Sequence, residues 1–229
     1  MARAVIFDVM GTLFQLAPLR ERLRAMGAPD ATLEAWFGRL LHSATSLTLA
    51  GEFRPFPELA ETTLRTTFAQ RELDEGRCAE VLEGFGELPP YEDAEAALAS
   101  SRGAGLAVAV LTNGSEANTR KLLGSARFDD YIDAFISVDE VRQYKPAPAP
   151  YRHAAARLGV EIADLALVAA HGWDVVGARS AGLDAVWVDR LERRWPFPLP
   201  EPKRASGLVE AIELIHASAD RAAGSTRGE

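Results

Sequence analysis

Hydrophobic residues gather in five short, uninterrupted runs: "RAVIFDV" (3–9), "LAVAVLTN" (106–113), "AFISVD" (134–139), "LALVAAH" (165–171) and "DAVWVDR" (184–190). Runs that do not alternate with polar residues mark strands covered on both faces. Amphipathic stretches of helical period lie between the later runs. "SEANTRKLLGSA" follows the second, "APAPYRHAAARLG" the third and "WDVVGARSAG" the fourth. Ser115 and Asp174 are suited to N-cap two of these helices, and Gly159 and Gly182 stand where helices commonly stop. Strand–helix alternation implies right-handed crossovers and a parallel sheet, so the chain reads as α/β.

The spacing of the runs is uneven. The later ones follow at roughly 20 to 30 residues, as βαβ units should. About 100 residues separate the first from the second, too many for one crossover. That interval holds the helical patterns "PLRERLRAMG", "TLEAWFGRLLHSATSLTLAG", "PELAETTLRTTFAQREL" and "EGRCAEVLEGFGEL", and no convincing strand. It predicts an α-helical insertion over 15–88 that closes over the carboxyl end of the sheet, with the core domain formed by 1–14 and 89–229. Pro89-Pro90 would mark the return. Residues 195–202 are proline-rich and predict irregular chain, "ASGLVEAIELIHASA" predicts a last helix, and "DRAAGSTRGE" a frayed tail.

Of the 229 residues, 48% are hydrophobic and 25% charged, which suits a globular protein. A formal net charge of −8 argues against non-specific binding to nucleic acid or an anionic membrane, and leaves room for a local basic pocket that takes a small anion. The single cysteine, Cys78, excludes an intrachain disulfide and points to a reducing cytoplasm. It lies in an amphipathic stretch and reads as a packing residue. No signal peptide is visible, and no apolar run reaches the ~20 residues that span a bilayer. Apolar residues of the insertion, Leu41, Leu47, Leu49 and Phe53, suggest either a homodimer face or packing among its helices.

Ligands of open α/β sheets bind at the carboxyl ends of the strands. Those ends carry Asp8, then Thr112-Asn113-Gly114-Ser115, then Lys145, then His171-Gly172-Trp173-Asp174. Each has a structural explanation: Asp8 capping a turn with Thr12, Thr112 and Asn113 forming a turn, Lys145 at the surface, Asp174 as an N-cap. Together they form a nucleophilic constellation. A carboxylate attacks carbon or phosphorus when it stays ionised and oriented. A neighbouring lysine keeps it charged and draws in an anion. The polar groups of Thr112 and Asn113 can hold that anion, and Asp174 can position Lys145 or activate water.

"FDVMGTLF", "VLTNGS", "YKPAPAPY" and "VAAHGWDVVGA", in this order, resemble the haloacid dehalogenase superfamily, and within it the type II (S)-2-haloacid dehalogenases. The resemblance covers nearly the whole chain. It implies a Rossmann-like core with an inserted helical cap, and a metal-free, cofactor-free hydrolase of small 2-halocarboxylates. In that scheme Asp8 is the nucleophile that forms an aspartyl ester, and water then hydrolyses the ester. By position Thr12 supports the nucleophile loop and Thr112 and Asn113 bind the substrate carboxylate. Lys145 and Asp174 are the motif lysine and acid; Tyr151 and Trp173 match a tyrosine and a tryptophan of the pattern. Met10 occupies the place of the second acid of the superfamily's magnesium-dependent phosphatases, which disfavours phosphate-ester chemistry. Dehalogenases usually have tyrosine there. Phe37 stands where a cap arginine follows a tryptophan, and Arg39, about 200° further round a helix, should not replace it. His171 and Ala169 replace an asparagine and a serine; His171 reads as a substrate or proton-relay group, or as a packed histidine. Trp36, Phe37 and Trp173 are expected to wall the site. The other readings are a magnesium-dependent small-molecule phosphatase and a non-catalytic anion-binding protein.

Overall fold

The computed structural model describes residues 2–225, with side-chain surroundings to residue 217. The first apolar run forms β1 (Ala4–Phe7), whose four residues are all buried. The chain then turns away from the sheet. Four helices follow: α1 (Ala17–Ala25), α2 (Thr32–Leu49), α3 (Phe56–Ala69) and α4 (Cys78–Leu82), with short 3-10 turns flanking the last. They bury Leu40, Leu64 and Phe68 among themselves. The Trp36 indole N–H lies 3.2 Å from both the Ala60 carbonyl and the Thr63 hydroxyl, which ties α2 to α3. Phe85 closes this layer, with its ring 5.6 Å from Trp36 and 5.4 Å from Phe56. Cys78 is buried in the same layer.

The outgoing and returning chains run side by side. Phe14 bridges Pro90, the Gln15 amide donates to the Pro89 carbonyl (2.9 Å), and the Tyr91 amide donates to the Leu13 carbonyl (2.8 Å). The returning chain continues through α5 (Ala94–Gly103), β2 (Ala107–Thr112), α6 (Glu116–Ala126), β3 (Ala134–Ser137), α7 (Pro148–Leu158), β4 (Leu165–Ala169), α8 (Gly172–Ala181), β5 (Asp184–Val188), β6 (Lys203–Ala205) and α9 (Leu208–Ser225). The sheet order is β3-β2-β1-β4-β5-β6, with every pair parallel. Two hydrophobic clusters cover its faces. One contains Val5, Phe7, Val108, Val110 and Val168 and continues into α1–α4; the other contains Ile6, Leu111, Leu167 and Trp187. The chain winds from β1 through β2 to β3 on one side, then crosses back to β4 on the other, so the topological switch lies beside β1, where such sheets bind ligands.

All five predicted strands form, each two or three residues shorter than the apolar run. Ser115 caps α6, accepting from the Asn118 amide at 3.3 Å. Gly159 and Gly182 adopt the left-handed conformation that ends α7 and α8. The N-cap of α8, however, is His171. Asp174 sits one turn inside, and its carboxylate is engaged elsewhere. The strand β6 is an addition to the sequence reading. The helix α9 runs through Ser225, further than the predicted tail allows, and residues 226–229 lie outside the described residues. Of the four apolar residues suggested as a homodimer face, Phe53 is buried and Leu49 alone is fully exposed, at 84%. No described helix is long and apolar enough to cross a membrane.

Candidate active site

Four strand ends deliver one cluster of buried polar groups. Asp8 follows β1 directly, and its amide donates to the Val168 carbonyl of β4 (3.1 Å), which fixes the acid at the switch point. Lys145 comes from the loop beyond β3 and is 1% exposed. Its ammonium donates to Asp8 Oδ1 (2.9 Å), Asp174 Oδ2 (2.7 Å) and the Leu111 carbonyl (2.8 Å), which accounts for all three of its protons. The other oxygen of Asp8 accepts from the Thr12 hydroxyl (2.7 Å) and lies 3.1 Å from His171 Nδ1. An ionised carboxylate only accepts, so His171 carries a proton on Nδ1.

Burial alone would push the Asp8 pKa up, but the Lys145 charge, then His171 and Thr12, outweigh it and hold the carboxyl far below the usual carboxylate range. Lys145 is likewise penalised by burial, and the two carboxylates beside it raise its pKa above that of an ordinary lysine. Asp174 is pushed up by burial, against the pull of Lys145 and with the repulsion of Asp8 added. Its second oxygen lies 2.5 Å from the Tyr151 hydroxyl. The site is thus an acid–lysine–acid chain, with the Lys145 ammonium between Asp8 and Asp174.

Local backbone geometry makes the cluster possible. Gly11 turns the chain after Asp8 at φ +83°, and a Cβ there would come within 2.7 Å of the His171 ring. The Ala170 amide donates to the Thr12 hydroxyl (2.9 Å), so the β1 turn and the β4 end brace each other. The Asn113 amide clamps the Lys145 backbone, accepting from its N–H at 2.9 Å and donating to its carbonyl at 3.4 Å.

Above Asp8 lies a small cavity of about 20 Å³, room for one water-sized body. Asp8, Thr112, Asn113, His171 and Trp173 form its floor and sides, and Met10 one edge. The roof comes from the inserted helices: Phe37 and Leu41 of α2 and Phe56 of α3. The Phe37 ring stacks on His171 with centroids 5.9 Å apart, and Trp173 flanks the same imidazole at 5.3 Å. Among the described residues, the buried indole N–H of Trp173 has no hydrogen-bond partner.

The sequence-predicted site residues divide into two groups. Asp8, Met10, Phe37, Thr112, Asn113, His171 and Trp173 border the cavity. Lys145, Asp174, Thr12 and Tyr151 stand behind it, holding Asp8 or one another. Tyr151 therefore touches Asp174 rather than the cavity. Trp36 does not wall the site, because adjacent residues of a helix point about 100° apart and Phe37 takes the cavity face. Arg39 is turned away, donating to Gln70 Oε1 at 2.5 Å. Leu41 and Phe56 are the lining residues that the sequence reading left out of the site. Leu41, four residues after Phe37, shares its helix face, and that spacing is the signal that could have found it.

The sequence pattern of the haloacid dehalogenase-like hydrolases matches residues 2–182. The chain belongs to this family. Among curated haloacid dehalogenase-like hydrolases, it is 29% identical over 218 residues to (S)-2-haloacid dehalogenase 1 of Pseudomonas sp. (strain CBS-3), covering 93% of this chain and 96% of that one. It is 32% identical to the (S)-2-haloacid dehalogenase of Xanthobacter autotrophicus, over 84% of this chain and 77% of that one. The solved structure of L-2-haloacid dehalogenase from Xanthobacter autotrophicus with chloropropionic acid covalently bound superposes with a TM-score of 0.85 at 27% identity, covering 94% and 99% of the two chains.

Proposed function

We propose that this chain hydrolyses the carbon–halogen bond of small 2-halocarboxylates, with Asp8 as nucleophile and no metal ion. The observation that carries the reading is the state of Asp8: a buried carboxylate, held ionised by Lys145, at the floor of a small and largely apolar cavity. A desolvated, oriented carboxylate suits displacement at a saturated carbon. A carboxylate oxygen of Asp8 attacks C2 as the halide departs with the bonding pair, which inverts that carbon and leaves an aspartyl ester. Water then adds to the ester carbonyl of Asp8, and the acyl–oxygen bond breaks. A 2-hydroxycarboxylate, a halide ion and one proton are released, and the Asp8 carboxylate is restored. Halide needs no general acid to leave, which accords with a methionine two residues after the nucleophile.

In this scheme Lys145 and Thr12 orient Asp8, Asp174 and Tyr151 hold Lys145, and Thr112, Asn113 and His171 border the space for the substrate carboxylate. Phe37, Leu41, Phe56 and Trp173 exclude water, and residues 15–88 serve as the cap that brings the first three of these. The donor set does not suit a hard divalent cation. Such an ion requires several free oxygens, whereas the Lys145 ammonium already stands between the two carboxylates and the Met10 side chain offers only sulfur.

The test is halide release from racemic 2-chloropropionate, with and without EDTA, beside an Asp8→Asn control. Release that survives EDTA and falls to buffer background in the variant supports the proposal. No release at millimolar substrate sinks it, and turnover of an aryl phosphate that requires magnesium would put a phosphatase in its place.

A further inference from the structure

Next to the reaction cavity lies a second, larger space of about 140 Å³. Met10 and Phe56 line both, so these two side chains are the partition between them. Beyond the partition the walls are Ala60, Leu82 and Phe85, from the inserted helices and the turn after them. The polar residues at its edge are already occupied. Ser115 caps α6, and Asn118 donates its side-chain amide to the Phe85 carbonyl (3.0 Å). A volume of this order suits a benzene-sized apolar guest.

One half of the partition is a flexible side chain. Methionine is unbranched and has three rotatable bonds before its methyl group. The methyl of Met10 lies against Gly114, where a Cβ would stand only 2.7 Å from it, so the absence of a side chain at Gly114 provides its resting place. The reaction cavity, at about 20 Å³, offers a 2-substituent far less space than the 140 Å³ chamber on the other side of Met10. From this geometry, and resting on the dehalogenase reading above, we infer that the 140 Å³ chamber is a subsite for the 2-substituent of the substrate. It selects 2-halocarboxylates with an apolar chain or ring of about four to six carbons, admitted past Met10. Carboxylate and halogen stay over Asp8 while the tail enters the chamber, and the displacement itself is unchanged.

The experiment measures halide release from 2-chloropropionate, 2-chlorobutanoate and 2-chlorohexanoate with the wild type, Leu82→Trp and Ala60→Leu. Calorimetric binding of acetate and hexanoate to Asp8→Asn and to Asp8→Asn/Leu82→Trp runs in parallel. Wild-type kcat/KM should rise about fourfold per added methylene, the gain expected for burying each one. The ratio between the longest and shortest acid should fall towards one in Leu82→Trp, and part of the way in Ala60→Leu, a milder change that guards against misfolding of the first. Halide release from 2-chloropropionate with a flat or falling series would overturn the chamber and leave the Asp8 chemistry standing. If no acid releases halide, yet hexanoate binds at least tenfold tighter than acetate and loses that advantage with Leu82→Trp, the dehalogenase reading falls and the chamber stands. Equal binding of the two acids without release would overturn both.

Discussion

Lys145 is a long cationic side chain placed where water cannot reach it, and its three protons are matched to three acceptors. Removing one member of such a buried set costs more than the set contributes, because the partners are left charged and unpaired. Lys145→Met should lower unfolding free energy in urea by about 3–5 kcal/mol. It should also abolish halide release, since Asp8 would then share a dry site with Asp174 and no cation. Much of this cluster was legible in the chain, because Asp8, Lys145 and Asp174 each follow an apolar run at a sheet end. Phe56 was not, because an apolar residue facing a cavity is indistinguishable by type from one facing a core. The hydrogen bonding of Asn113 was also hidden: nothing local in "TNGS" indicates that its amide would grip the backbone of a residue 32 positions away.

Between elements, the contact that sets the geometry is that of α8 with the turn after Lys145. Gly177 of α8 has no room for a side chain: a Cβ there would lie 2.6 Å from the Pro146 ring and 2.6 Å from the Tyr151 hydroxyl. Gly177→Ala should destabilise the protein by about 1–3 kcal/mol, the usual cost of overpacking. It should also lower kcat for 2-chloropropionate more than it raises KM, since the displaced Tyr151 and Asp174 hold Lys145 rather than the substrate. Urea unfolding and steady-state kinetics on one preparation check both. The central elements were readable because fully buried parallel strands carry an uninterrupted apolar signal. The edge strand β6 was not. Its three residues, Lys203, Arg204 and Ala205, follow a proline and look polar, and charge is what a protected sheet edge is expected to show.

For the whole molecule, the buried charges set the pH range of stability. The Asp8 pKa is lowered on folding, so the unfolded chain binds its proton more readily and stability rises with pH. That contribution is present above about pH 4, the unfolded value of an aspartate, and is lost as pH falls through the lower folded value. The Lys145 pKa is raised, so its contribution is present below about pH 10.4 and is lost as pH climbs through the higher folded value. Denaturation measured from pH 2 to 11 should show both flanks. The difference between wild type and Asp8→Asn should shrink towards the acid end, and a difference that stays constant below pH 4 would refute the assignment. One feature joins the helices of the insertion to this charged centre. Tyr144, the residue before Lys145, donates its hydroxyl to the Arg54 carbonyl (2.8 Å) and its amide to the Thr48 hydroxyl (3.1 Å), and its ring lies 5.3 Å from that of Phe53. Roof and lysine are therefore fastened at adjacent positions of the chain, like a latch mounted on the hinge post. A shift of residues 48–54 would bear directly on the peptide that carries Lys145.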